Sequence, residues 1–326
     1  MLFEGQVSRK PNLYPWTQEI INALWTSHWT PNEFNFRSDL NQFYNDLTKE
    51  EQGVITRTLS AIGQIEIAVK RFWTDLGIHF PHPSMSDMGI VMGNNEVIHN
   101  QAYEKLLEVL HLQSAFDEAL KEPVIEGRVQ YLRKYNDRAF VDDRKQYIYA
   151  IMLFSLFVEN TSLFGQFYVI LNFNRFKAVL KDTAQQVAYT KHEEDLHAQA
   201  GILLIETLRR EYPKYFDTEL QLRVEQECKE SLEHEFKIID WILQGYESEN
   251  LSAPILKAYV NKRLSDAMVK CGYSPIPLSD AQKQLLEEHT LWMEEDVNGG
   301  TLTDFFQKRP IDYAKNNRSF NEEELF

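Results

Sequence analysis

Hydrophobic positions recur at intervals of three and four along most of the chain, and few segments alternate with the period of a strand. The pattern predicts a short first helix over Thr17 to Trp25, then a loop containing HWTPNEFNF at 28–36. Thr48 and Glu51 have capping-box spacing, so a long helix is expected to start there and run to about Leu76. GIHFPHPS at 77–84 breaks it. The next helix holds NNEVIHNQAY and continues through LLEVLHL. Shorter helices are expected over 115–139, long ones over Asp143 to Phe173 and Lys177 to Arg210, and three more over 216–297. The longest apolar run, YAIMLFSLFV at 149–158, is too short to span a bilayer and reads as a helix buried on all sides. Residues 298–326 have little apolar periodicity, so the chain is expected to divide into a helical domain, 1–297, and a mobile tail.

Composition narrows the classes of function. The chain has 326 residues, of which 43% are hydrophobic, enough for a sizeable core. Its formal charge of −15 argues against a nucleic acid or an anionic membrane as the main partner. The two cysteines, Cys228 and Cys271, lack zinc-site spacing and are expected as free thiols of a cytoplasmic protein. The first residues lack the apolar run of a signal peptide.

Four helices carry the candidate chemistry. Glu66, in SAIGQIEIAVKRFW, shares a stripe with Ile62, Val69 and Trp73, and Glu159 lies among Met152, Leu156 and Leu163. A carboxylate on an apolar face is costly unless it takes up a proton, a cation or a metal. Glu96 with His99, and Glu194 with His197, are Glu-x-x-His pairs, whose members are neighbours on a helix surface. One Glu-x-x-His is common in helical proteins, and a lone Glu is more often an ion-pair partner. The order lone Glu, pair, lone Glu, pair is far more specific. It is the four-carboxylate, two-imidazole ligand set of ferritin-like di-iron or di-manganese bundles, and it predicts an all-α, ferritin-like fold. Glu193 beside Glu194 leaves the register open, and the i+3 spacing favours Glu194. Tyr103 is one turn beyond His99, as a core tyrosine or as a one-electron donor or hydrogen-bond partner beside the metals.

In this order the motifs resemble the small, radical-generating subunit of class I ribonucleotide reductase. HWTPNEFNF looks like the family's tryptophan-proline segment, NNEVIHNQAY its Glu-x-x-His followed by tyrosine, Phe157-Val158-Glu159 and EEDLH its second ligand pair, and DFFQKRPIDY its tyrosine-bearing tail. The resemblance implies metal ligands Glu66, Glu96, His99, Glu159, Glu194 and His197. It implies an electron relay through Trp29, and a role for Glu193 where relatives usually keep an Asp that links this tryptophan to a ligand histidine. Tyr313 matches the tyrosine that passes the radical to the large (alpha) subunit, which reduces ribonucleoside diphosphates. A homodimer activated by O2 or superoxide is implied as well.

Glu66 departs from the Asp of most tyrosyl-radical relatives and resembles subclasses that store the oxidant on the metals. With Tyr103 retained, a dimanganese pair is favoured over manganese–iron or di-iron. Lys70, one turn after Glu66, is either a partner for a ligand carboxylate or oxidant, or an exposed ion pair with Glu66. Leu325 and Phe326 behind three glutamates resemble a segment that orders on a partner. The rival reading is a ferritin-like dimetal oxidase or oxygenase acting on its own bound substrate, which has no need of such a tail.

Overall fold

The computed structural model describes residues 1–293, without the side chains of 66–70. Thirteen α-helices occur among these residues, and the only β-pairing is an isolated bridge between Ser248 and Leu251. They are α1 (Trp16–Thr26), α2 (Arg37–Asn45), α3 (Lys49–Thr74), α4 (Leu76–His79), α5 (Pro83–Val109), α6 (Gln113–Ala119), α7 (Pro123–Leu132), α8 (Asp143–Leu153), α9 (Phe164–Lys177), α10 (Lys181–Glu211), α11 (Thr218–Leu243), α12 (Ala253–Lys270) and α13 (Asp280–His289). The expected all-α architecture is present. Residues Met1–Thr290 form one unit, and the expected tail, 298–326, lies outside the described residues.

Local signals explain several boundaries. The Thr48 hydroxyl accepts from the Glu51 N–H, and the Glu51 carboxylate accepts from the Thr48 N–H, closing the capping box that starts α3. Pro83 opens α5 at a position where its missing N–H costs nothing. The expected break at 77–84 is shorter than its Gly and Pro content suggested, because α4 fits one turn between α3 and α5.

One expectation fails. The long helix over Asp143 to Phe173 is not uniform: Phe154–Ser162 winds as a π-helix between α8 and α9. The Thr161 hydroxyl and the Asn160 amide donate to the carbonyls of Leu156 and Ser155, five residues back in each case. No periodicity argument distinguishes this widened turn in a segment that is buried on every side. The span Asp143–Lys177 is long and apolar enough to cross a membrane by length and composition, and its most apolar window is wholly buried among the other helices.

Helices α3 and α5 pack along one another, while α10 packs against the π-helical segment and α9. Gly201 makes the second contact close. A Cβ there would lie 2.6 Å from the Cβ of Ser155, on the π-helical segment. The inner faces of α3, α5, the π-helical segment and α10 thus surround the polar centre described next.

Candidate metal centre

Glu96, His99, Glu159, Glu194 and His197 are all buried, with 0–1% of each exposed. Glu96, Glu159, Glu194 and His197 each offer a ligand atom, and these atoms all lie within 4.8 Å of one another. His99 flanks the group, its Nδ1 3.1 Å from Glu194 Oε1 and 3.5 Å from Glu96 Oε2. His197 Nδ1 is 3.0 Å from Glu96 Oε1, 3.2 Å from Glu194 Oε2 and 3.7 Å from Glu159 Oε2. Glu96 and Glu194 therefore each present one oxygen to each histidine, and Glu159 sits on the His197 side. The side chains of Glu66 and Lys70 lie outside the described residues, as do Tyr313, Leu325 and Phe326.

The protonation balance fits a donor set made for cations. Burial pushes the Glu159 carboxyl well above the ordinary range, and the charge of Glu194 adds to the shift. Burial opposes ionisation of Glu194 too, but the adjacent His197 and His99 outweigh it and hold this carboxyl low. His197 is raised because Glu194, Glu159 and Glu96 surround it, against the opposing effect of burial. Both oxygens of Glu96 and Oε1 of Glu194 are buried and accept no hydrogen bond among the described residues. Buried carboxylate oxygens whose near polar neighbours are inward-facing imidazole nitrogens suit divalent iron or manganese.

Two tryptophans flank this centre. Trp29 is fully buried, although its HWTPNEF surroundings read as a polar loop. Its Nε1 donates to Glu193 Oε2 at 2.9 Å, and the same oxygen lies 2.6 Å from His99 Nε2. The rings of Trp29 and His99 stack with centroids 6.1 Å apart. Asn95 Nδ2 donates to the other Glu193 oxygen at 2.5 Å. Glu193 thus lies behind the imidazole while Glu194 stands on its inner side, facing Nδ1. On the opposite side Trp73, also fully buried, donates from Nε1 to Glu159 Oε1 at 2.7 Å.

Sequence reasoning missed the parts played by Asn95 and Trp73. Asn95 had a signal, since an amide beside Glu96 on a buried face needs a polar partner. Trp73 was on the Glu66 stripe, but its partner is 86 residues away. Tyr103 is 1% exposed and lines a cavity of about 280 Å³ with Gly63, Asn100, Leu107 and Phe116.

Residues 7–280 match the family described as ribonucleotide reductase, small chain. Probable ribonucleoside-diphosphate reductase small subunits of Invertebrate iridescent virus 3 and Invertebrate iridescent virus 6 are 24% and 26% identical. Each alignment covers 96% of this chain, with 86% and 95% of the respective relative. The fold is similar to that of a ribonucleotide reductase R2 subunit from Clostridium botulinum, with a TM-score of 0.75, 17% identity and 88% of each chain covered. It is also similar to a variant R2-like ligand-binding oxidase with an aerobically reconstituted Mn/Fe cofactor. That comparison has a TM-score of 0.68 and 18% identity, and covers 82% of this chain and 96% of the other.

Proposed function

The chain belongs to the ribonucleotide reductase small-chain family, and we propose that its Glu/His cluster holds a dinuclear metal cofactor whose oxidising equivalent leaves through Trp29. The protein is the small subunit of a ribonucleoside-diphosphate reductase. Small subunits of this family are generally dimeric and pair with a large subunit. The observation that carries the proposal is the continuous hydrogen-bonded line from Trp29 through Glu193 to His99, at the edge of the carboxylate cluster.

Each residue has a distinct task. Glu96 and Glu194, each facing both histidines, would help to hold both ions. Glu159 and His197 would serve one ion, and His99 the other, with Glu66 as its remaining carboxylate by the pattern of the sequence. The bound ions supply a stored one-electron oxidant. Glu193 fixes the His99 ring by holding its Nε2, so that Nδ1 stays directed inward. The same carboxylate accepts the Trp29 N–H and can take charge of that proton when the indole loses an electron. The buried faces of α3, α5 and α10 keep water from the centre. Tyr103 would act as a neighbour of the cofactor rather than as the seat of a radical.

Glu66 in place of Asp supports a dimanganese pair with a metal-centred oxidant, loaded in the cytoplasm with O2 or superoxide as the activating oxidant. Lys70 would hydrogen-bond a ligand carboxylate there. In residues 298–326, Tyr313 would receive the oxidising equivalent while Leu325 and Phe326 dock the tail on the large subunit.

Maturing the full chain separately with manganese, iron and both tests this reading. The manganese form should show a metal-coupled multiline EPR signal and turn over with the large subunit. Tyr313→Phe should bind the large subunit and form no deoxynucleotide, and deletion of residues 319–326 should abolish binding. Wild-type turnover by both tail variants would reject the radical-transfer role.

A further inference from the structure

On the side of the centre away from Trp29, an aromatic cluster joins it to a surface cavity of about 720 Å³ lined by Arg71, Phe72, His79, Tyr135, Arg138 and Tyr147, among others. Tyr135 is half-buried on the wall of this cavity. Its ring is 5.4 Å from that of Phe72 and 5.5 Å from that of Phe154, centroid to centroid. Phe72 and Phe154 stack at 3.8 Å, and their rings lie 5.3 Å and 5.5 Å from Trp73. Trp73 in turn donates its N–H to Glu159 and lies 6.4 Å from the His197 ring. Centroid separations of this size are those of aromatic rings in direct contact.

Trp73 thus repeats the placement of Trp29. Each is a fully buried indole whose N–H is bound to a carboxylate that also lies against a histidine of the centre. The two differ in where they lead. Trp29 touches the half-buried ring of Tyr189 directly, at 6.0 Å, whereas the Trp73 side reaches Tyr135 through one layer of phenylalanine, at the wall of the 720 Å³ cavity.

We propose that Trp73 and Tyr135 form a second redox route, through which a small one-electron donor in this cavity reduces the metal centre. Phenylalanine is too hard to oxidise to carry the charge, so Phe72 and Phe154 serve as packing between two oxidisable rings. The oxidised centre draws an electron from Trp73, and Trp73 draws one from Tyr135, whose phenolic proton passes to water in the cavity. The donor then returns one electron and one proton to Tyr135. With ascorbate monoanion as donor, the product is the monodehydroascorbate radical anion, and the centre has gained one electron. Arg71 and Arg138 line the cavity together with their ion-pair partners Asp75 and Asp143, so its wall is polar and charge-balanced, and the cavity has room for a ring-sized donor.

The inference rests on the dinuclear reading above. Its test is the loss of the oxidised cofactor's absorbance after full-length, metal-loaded protein is mixed with ascorbate in a stopped-flow instrument. Tyr135→Phe keeps the ring packing, touches no ligand and should slow this reduction by about tenfold or more. Asn136→Trp, an exposed substitution at the cavity wall, should slow it as well, which guards against a packing defect in the first variant. Equal rates for wild type, Tyr135→Phe and Asn136→Trp would overturn the route and leave the metal centre untouched. A wild-type chain that loads no metal would overturn both.

Discussion

Removing the Glu193 carboxylate should damage stability and metal affinity by separate and measurable amounts. Glu193 is fully buried and serves Trp29 Nε1 at 2.9 Å, Asn95 Nδ2 at 2.5 Å and His99 Nε2 at 2.6 Å. Glu193→Ala leaves buried donors without an acceptor, at ~1–3 kcal/mol each. They share one acceptor, so their losses do not add. The expected total is ~3–5 kcal/mol, the usual cost of removing one member of a buried, hydrogen-bonded polar set. The second effect arises at His99. Without a partner on Nε2 the ring can turn, and Nδ1 loses its aim at Glu194 and Glu96. Loss of such an outer partner lowers metal affinity ~10–100-fold, or ~1.4–2.7 kcal/mol. Glu193→Gln keeps the shape and one carbonyl oxygen but sets an NH2 group against a donor, so it should fall between wild type and Glu193→Ala. Urea unfolding of the metal-free chain measures the first effect, and competition with a chelator measures the second. If Glu193→Ala unfolds within ~0.5 kcal/mol of wild type and holds metal equally well, the hydrogen bonds around Glu193 do not support the centre.

Glu159→Ala should bind less than the two ions per chain expected of this ligand set, which metal analysis of the purified protein will show; full occupancy would reject Glu159 as a ligand. Trp29→Phe should fold, dimerise and load metal but lose turnover with the large subunit, and near-normal turnover would eliminate the relay. Gly201→Ala should destabilise the chain by ~1–3 kcal/mol in chemical unfolding, because its new methyl would meet Ser155. For Glu51, burial opposes the charge, but Lys177, the Thr48 N–H and the Tyr246 hydroxyl outweigh it and lower its pKa. Its stabilisation is therefore full above the unfolded value of about 4.3 and is lost as pH falls through the lower folded value, so Glu51→Gln should flatten the fall of unfolding midpoints between neutral pH and about pH 3.

The sequence by itself determined the helical class, most helix boundaries and the spacing of the Glu and His candidates. These depend on short-range features: a 3.6-residue period, the reciprocal cap of Thr48 and Glu51, the Gly- and Pro-bearing break at 77–84, and two Glu-x-x-His pairs whose members must share a helix face. Such features act within one or two turns, so they are legible before the chain is folded. The tertiary structure decided which groups meet across helices. Glu193 rather than Glu194 supports His99 from behind because α10 turns the first carboxylate toward Trp29 and the second toward Glu96 and His197. Trp73 finds Glu159, and Asn95 finds Glu193, over separations of 86 and 98 residues that no local pattern encodes. The π-helical turn that carries Glu159 was hidden for a related reason. In this segment Ser155, Glu159, Asn160, Thr161 and Ser162 are buried along with the apolar residues, so the polar and apolar pattern carries no phase from which an extra residue in the turn could be read.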